Sequence, residues 1–184
     1  VLLLTVGNYS ERFISENLTN YINDGEAEAG NTEFDYAKMS DADAEEARAG
    51  LVEEKGFFIL PSELFCNVRK AAKADSAMFT DKEGNKRSVK ANLNEYLEMI
   101  SQNIEDSAKG QLSEDDFAGL FDDFDVNSNK LGATVAKRNE KLIKLLDGIG
   151  DMKLGNYKEN TIDAFGDAYE YLMRNFATES GKSK

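Results

Sequence analysis

Residues 56–65 read GFFILPSELF and contain the chain's single proline, Pro61. Because the residue before a proline is pushed out of the α region, we expect Phe57 to Leu60 to be extended. Proline is favoured in the first helical turn, so Pro61 and Ser62 predict the start of a helix. The side chains expected on its inner face are Leu64, Phe65, Val68 and Ala72.

Segments on both sides of this stretch repeat apolar residues at helical spacing. The first, ending near Asn23, carries Phe13, Ile14, Leu18, Tyr21 and Ile22. Helices are predicted over 89–107, 129–146 and 161–177. Their expected inward residues are Leu93, Tyr96, Leu97, Ile100 and Ile104, then Val135, Leu142, Ile143 and Leu146, and finally Phe165, Ala168, Tyr169, Leu172 and Phe176.

Two shorter helices are indicated by their capping residues. Ser40 is a predicted N-cap, and Ser113 with Asp116 matches a capping box. No segment shows convincing period-2 alternation, and residues 75–88 have the composition of a turn-rich connection. We therefore predict an all-α fold, a compact multi-helix domain over 1–184, with 24–55 and 75–90 as variable connections.

Composition excludes several classes of chemistry. The 184 residues contain no histidine, which rules out Ser-His-Asp and Cys-His catalysis and imidazole zinc sites. One cysteine, Cys66, cannot form an internal disulfide, and we expect it to be a buried packing residue. A net charge of −13 argues against nucleic acid binding over the whole surface but allows a local basic patch. The opening VLLLTVG is too short to span a bilayer, and we expect the true start to lie upstream.

Residues 117–132, FAGLFDDFDVNSNKLG, invite comparison with a helix–loop–helix calcium site. Such a loop needs glycine at position 6 and glutamate at position 12. A loop starting at Asp123 has Ser128 and Thr134 there, and one starting at Asp125 has Lys130 and Ala136. The pattern instead favours a turn whose Asp and Asn side chains cap backbone groups, and we predict no metal site.

Positive charge is concentrated in one part of this acidic chain. Residues 130, 137, 141 and 144 fall within about 60° of one another at ~100° per helical residue. Such a stripe could contact phosphates, or it could be a solvated face whose lysines pair with carboxylates, as Glu140 with Lys144. The candidate contacts to DNA or a partner are Lys130, Lys137, Arg138, Lys141 and Lys144.

Four stretches in this order resemble the N-terminal helical domain of the modification subunit of type I restriction–modification systems. They are GFFILPSELF (56–65), GLFDDFDVNSNKLG (119–132), RNEKLIKLLDGI (138–149) and DAFGDAYEYLMRNFA (163–177). RFISENLTNYIN (12–23) is similar to an early helix of that family, although LLLTVGNYSE before it departs from the usual pattern.

The resemblance implies a parent protein that transfers a methyl group from S-adenosylmethionine to adenine N6 in DNA. It implies partners as well, namely a specificity subunit, a restriction subunit and double-stranded DNA, all in the cytoplasm. The family's Rossmann-like domain carries an Asn-Pro-Pro-Tyr/Phe tetrapeptide, whereas Pro61 follows a leucine here. We therefore expect a fragment without catalytic or cofactor-binding residues, with 178–184 starting the linker to the missing catalytic domain.

Two other classes of function remain open from the residues alone. The chain could be a stand-alone acidic helical protein-interaction module, or an acidic metal-binding protein. A coding sequence that continues past Lys184 into the family's catalytic motifs would separate the first of these from the methyltransferase hypothesis. Aromatic residues such as Phe121 and Phe124, or Tyr169 and Tyr171, could stack on a flipped base, but their helical spacing is more typical of core or subunit interface.

Overall fold

The structure is a computed structural model that describes residues 35–152 and seven earlier residues in helical conformation. Those seven are Leu4, Gly7, Glu11, Ile14, Ser15, Leu18 and Thr19. The later elements begin with a 3-10 turn (Tyr36–Lys38), α1 (Asp41–Glu46), α2 (Arg48–Lys55), a second 3-10 turn (Pro61–Glu63) and α3 (Phe65–Ala71). They continue with β1 (Met78–Thr80), β2 (Lys86–Ser88), α4 (Leu93–Ala108), α5 (Glu114–Phe117) and α6 (Val135–Gly150).

The buried apolar side chains form two clusters. The larger joins α3, α4 and α6 with the hairpin, and its members include Val68, Leu97 and Leu146. The smaller one lies under the 3-10 turns, α1 and α2, and is built around Tyr36, Leu51, Phe58 and Leu64. Ile104, in α4, packs against both clusters. Helix α4 therefore serves as the common wall between them.

Residues 56–65 connect the two clusters, and the backbone changes direction at Pro61. Leu60 is extended, with φ −70° and ψ 150°, and the turn begins at Pro61. The prediction of an α-helix starting at Pro61 is wrong by one turn, because a 3-10 turn comes first and α3 begins at Phe65. The expected inward side chains of this region, Leu64, Phe65, Val68 and Ala72, are all buried.

Gly56 ends α2 in the left-handed conformation, with φ +82°, and its N–H donates to the carbonyl of Val52 at 2.9 Å. A Cβ atom at this position would lie 2.7 Å from the Ser113 hydroxyl oxygen. That hydroxyl donates to the Gly56 carbonyl. Ser113 therefore makes no side-chain cap on α5, and the predicted capping box with Asp116 does not form. Its hydroxyl is used in a tertiary contact instead.

The segment 75–90, predicted as a turn-rich connection, contains a β-hairpin. Met78 is opposite Ser88 and Thr80 is opposite Lys86 in an antiparallel pair. Asp81 holds the turn, since its Oδ1 accepts the N–H of Glu83 at 3.0 Å and of Asn85 at 2.8 Å. Strands of three residues are too short to display an alternating pattern, so sequence periodicity could not reveal them.

The helix predictions are largely confirmed within the described residues. Ser40 caps α1, and its side chain accepts the N–H of Asp43. Helix α4 buries Leu93, Tyr96, Leu97 and Ile100, as its spacing predicts, with Ile104 partly buried. Helix α6 begins six residues later than predicted, and Val135, expected to face inward, is 43% exposed at its first turn. Cys66 is half-buried beside the smaller cluster.

The all-α fold class is confirmed for the described part of the chain, where one two-stranded hairpin accompanies the helices. Leu18, predicted to face inward, is 1% exposed and Ile14 is partly buried. The predicted helix 161–177 and the linker 178–184 lie outside the described residues. No helix among the described residues is long and apolar enough to cross a membrane.

Glu63 is a buried carboxylate in the turn that follows Pro61, with 6% of its surface exposed. Its two oxygens accept the side-chain amide of Asn103 at 2.7 Å and the N–H of Leu60 at 3.0 Å. Burial raises the pKa of Glu63 above its ordinary value of 4.5, although these hydrogen bonds oppose the rise. This one residue therefore fastens the turn to α4 at the cost of a desolvated charge.

The raised pKa predicts an unusual pH dependence of stability. A carboxyl group whose folded-state pKa is raised stabilises the fold fully below its unfolded pKa, and that contribution is lost as the pH rises through the folded pKa. We expect the free energy of unfolding of the wild type, relative to Glu63→Gln, to be largest below pH 4.5 and to fall above it. Urea unfolding of both proteins between about pH 4 and pH 7 measures this difference. A difference independent of pH would contradict the assignment.

Candidate nucleic-acid interface

Helix α6 has a buried face and a basic face on opposite sides. Thr134 caps its first turn by accepting the N–H of Lys137 at 3.3 Å. The buried residues of the helix are Asn139, Leu142, Leu146 and Ile149. At ~100° per residue, residues 137, 141 and 144 lie within about 60° of one another and roughly opposite Leu146. The apolar contacts of α6 therefore turn these three lysines outward, and all three are exposed.

Lys130 stands outside the helix, in the turn that precedes it, so helical geometry does not apply to its position. It is nevertheless linked to the stripe, because the Lys141 amino group donates to the Lys130 carbonyl at 3.2 Å. Lys130 and Lys137 are exposed, and neither amino group has an ion pair with another described residue. These two cations are the most open to a ligand.

Arg138 differs from the other four candidates. It is half-buried, about 100° around the helix from Lys137, and its Nη1 donates to the carbonyl of Gly132 at 3.1 Å. A Cβ atom on Gly132 would lie 2.8 Å from Cβ of Lys137, so the turn packs directly on the helix. Arg138 therefore holds the turn against α6 and does not share the outward face of the three lysines, and its contact with DNA or a partner stays a prediction.

Lys144 and Glu140 form the ion pair that their i, i+4 spacing predicts, with nitrogen and oxygen 2.7 Å apart. The hydrogen bond from Lys144 lowers the pKa of the Glu140 carboxyl, and the positive charges of Lys144 and Lys137 act in the same direction. The two side chains are 73% and 65% exposed, so the pair contributes little stability. One of the stripe's cations is therefore partly neutralised.

Two buried asparagines position α6 against α4. The Asn139 Oδ1 accepts the N–H of Asn94 at 2.9 Å, and its Nδ2 donates to the Ala91 carbonyl at 2.7 Å. One side chain thus satisfies two backbone groups at the start of α4. The sequence contained a sign of this role. Asn139 precedes Leu142 by three residues and Leu146 by seven, which places it on the apolar face of the helix.

Asn94 carries the same network into the turn before α6. Its Nδ2 donates to Asn127 Oδ1 at 2.7 Å, and the Asn127 N–H donates to Asp125 Oδ1 at 3.0 Å. These oxygens are the ones that a calcium loop would direct at an ion. The hydrogen bonds match the predicted turn with Asx caps, and no group of three or more possible metal ligands occurs among the described residues.

The aromatic residues of this turn pack inward. The Phe121 and Phe124 rings lie 6.4 Å apart, and Phe124 contacts the larger apolar cluster. Their packing favours the core interpretation over stacking on a base. Tyr169 and Tyr171 lie outside the described residues.

An ion-pair network fixes the other end of α6 to α3. Arg69 contacts Asp147 at 2.9 Å and Asp151 at 2.5 Å, and Lys73 contacts Asp147 at 2.7 Å. The hydrogen bond from Lys73, followed by that from Arg69, lowers the pKa of the Asp147 carboxyl. Helix α6 is therefore held at both ends, and its basic face has a fixed orientation relative to α3 and α4.

The strands among the described residues differ in topology from those of a Rossmann-like cofactor site. Such a site needs a parallel strand–helix–strand unit with a glycine-rich turn. The strands of the described part are instead an antiparallel hairpin, β1 with β2, closed by residues 81–85.

Comparison with known proteins relates the chain to DNA methylases in two ways. The family described as N-6 DNA methylase matches residues 160–184. The chain is also 42% identical over 177 residues to the type I restriction enzyme MpnII methylase subunit of Mycoplasma pneumoniae (strain ATCC 29342 / M129 / Subtype 1). That alignment includes 94% of this chain and 30% of the relative, so the chain spans about a third of its relative's length. No solved structure matches the chain.

These matches confirm the resemblance that the sequence motifs indicated. The chain is similar, over nearly its whole length, to part of the methylase subunit of a type I restriction enzyme.

Asn139 provides a direct test of how α6 is positioned. Asn139→Ala leaves the buried N–H of Asn94 and the partly buried carbonyl of Ala91, just before α4, without their partner, and we expect a loss of about 2 kcal/mol in the free energy of unfolding. Denaturant unfolding measures this loss. The matched control is Asn129→Ala, an exposed asparagine in the neighbouring turn, which should change stability by less than about 0.5 kcal/mol. Equal effects from the two substitutions would show that the buried network does not stabilise the fold.

Proposed function

We propose that this chain is part of the modification subunit of a type I restriction–modification system, a DNA methyltransferase specific for adenine N6. The observation that carries the proposal is the 42% identity to a type I methylase subunit across 94% of the chain. The N-6 DNA methylase match at residues 160–184 supports it independently. The order of the four motifs from GFFILPSELF to DAFGDAYEYLMRNFA agrees with it.

The parent enzyme would take its methyl group from S-adenosylmethionine. The antiparallel hairpin and helices of residues 35–152 do not suit that cofactor, so we assign cofactor binding and catalysis to other parts of the parent. The helical domain would instead help to enclose double-stranded DNA and to assemble with the specificity and restriction subunits. Since its substrate is cellular DNA, we place the complex in the cytoplasm.

The exposed basic face of α6 is the proposed DNA contact within this domain. Lys137 and Lys141 project to the same side, and Lys130 is joined to them through the Lys141 hydrogen bond. In a chain with a net charge of −13, DNA is expected to approach through such a local patch. Lysines that neutralise phosphates contribute affinity that is independent of DNA sequence and falls with salt.

The isolated 184-residue chain should neither transfer methyl groups nor bind S-adenosylmethionine, because the proposal assigns both to the rest of the parent. Isothermal titration calorimetry with the cofactor and a radiolabelled methyl-transfer assay test this. The positive control is the whole subunit with its specificity partner, which should label adenine N6. Micromolar cofactor binding by the isolated chain would contradict the assignment of the cofactor site to the rest of the parent. A complete complex that fails to label adenine would overturn the proposed activity.

Lys137→Gln in the complete complex tests the DNA contact. Loss of one phosphate contact should reduce the slope of log K against log salt concentration by about 0.9 and weaken binding to all sequences alike. Fluorescence anisotropy with target and non-target duplexes over a salt series measures both effects.

The matched control for charge is Lys82→Gln, which removes an exposed lysine from the hairpin turn, away from α6. It should leave the salt slope unchanged. If Lys137→Gln also leaves the slope unchanged, the basic face is a solvated surface and the DNA contact lies elsewhere.

A further inference from the structure

An apolar groove of about 280 Å³ opens between the two core clusters. Its walls come from the segment 57–65, from α3, α4 and α6, from the turn around residues 117–124, and from the N-terminal residues Leu4, Gly7, Glu11 and Ile14. Phe57, Ile104 and Leu120 are among its lining residues, and Leu120 is 45% exposed. Apolar surface of this kind is costly to leave in water, so we expect another apolar surface to cover the groove.

The polar side chains that line the groove already have partners. One oxygen of Glu11 accepts the N–H of Cys66 at 2.6 Å, and Glu63 accepts from Asn103 and Leu60. The hydroxyl of Ser101 donates to the Leu97 carbonyl at 2.9 Å. The groove thus offers few free hydrogen-bonding groups to a polar ligand, and its chemistry suits an apolar face.

The last described helix contributes one lining residue to this groove. Leu146, in the last turns of α6, lines it, and Met152 packs against the larger cluster six residues later. The sequence continues for a further 32 residues, 153–184. Residues 153–160 alone can span roughly 26 Å when extended, so they form a long tether between Met152 and the segment that follows.

We propose that the groove is the docking site of residues 161–177 of this same chain. The sequence predicts a helix there, about 25 Å long, with one apolar face formed by Phe165, Ala168, Tyr169, Leu172 and Phe176. The tether after Met152 gives this segment a high effective concentration that a free partner lacks. Since the N-6 DNA methylase match begins at residue 160, docking would fix the start of that region against the helical domain. The proposal does not depend on methyl transfer, and its failure would leave the proposed activity untouched.

Hydrogen–deuterium exchange of the whole 184-residue chain tests the docking. Residues 161–177 should be protected in the wild type, and Leu120→Asp in the groove should increase their exchange at least about tenfold. The matched control is Leu112→Asp, which places the same charge at a fully exposed leucine that does not line the groove. Amides of α4 report whether each variant remains folded. Unprotected amides at 161–177 in the wild type, or equal exchange in Leu120→Asp and Leu112→Asp, would overturn the proposal.

Photo-cross-linking identifies the occupant directly. A benzophenone amino acid at position 172, on the predicted apolar face, should form intramolecular links to the groove residues Phe57, Ile104 or Leu120. The same probe at position 174, on the opposite face, should not. Links between two chains, which appear as covalent dimers, or links to a surface away from the groove, would show that something other than the chain's own segment 161–177 occupies the groove.

Discussion

The hydrogen bonds between residues 57–63 and α4 are the contacts on which the rest of the described fold depends. The Ser107 hydroxyl accepts the N–H of Phe58 at 2.9 Å, and Glu63 accepts the side chain of Asn103 from the same helix. Pro61 cannot donate a backbone hydrogen bond, so the chain turns there. The turn sends Phe58 into the smaller cluster and Phe65 into the larger. Ile104 contacts both clusters as well, and Asn67 of α3 donates to the carbonyls of Ala37 and Pro61.

The basic face of α6 is a consequence of packing on its other side. Leu142 and Leu146 must face α3 and α4, and this orientation leaves Lys137 and Lys141 in solvent. Asn139 adds specificity to the same interface because a buried amide tolerates only the arrangement that satisfies its hydrogen bonds. The Arg69–Asp147 pair fixes the far end of the helix. A helix held in a fixed orientation needs less ordering when a ligand binds to its exposed face.

The groove and the basic face have different chemistry and lie on different sides of α6. Leu146 points into the groove from the buried side, whereas Lys144 lies on the solvent side of the helix. The groove and the basic face are therefore separate surfaces. The groove is the proposed contact for residues 161–177, and the basic face is the proposed contact for DNA phosphates.

The sequence by itself determined the helices whose burial repeats every three or four residues. Leu93 to Ile100 in α4 and Leu142 to Leu146 in α6 were predictable because one long helix face meets one core. The Ser40 cap and the Glu140–Lys144 pair were equally local. The similarity to a type I methylase subunit was also recognisable from the ordered motifs of the sequence.

Only the tertiary structure decided the long-range partners of the polar residues. Ser113 matches a capping box, but Gly56 offers its hydroxyl a tertiary acceptor. Arg138 belongs to a basic run, yet the Gly132 carbonyl draws it inward. Asn139 stabilises the start of α4 from 45 residues away along the chain. Apolar periodicity is a local property of the chain, whereas the partner of a hydrogen-bonding group is chosen by whichever segments the fold brings together.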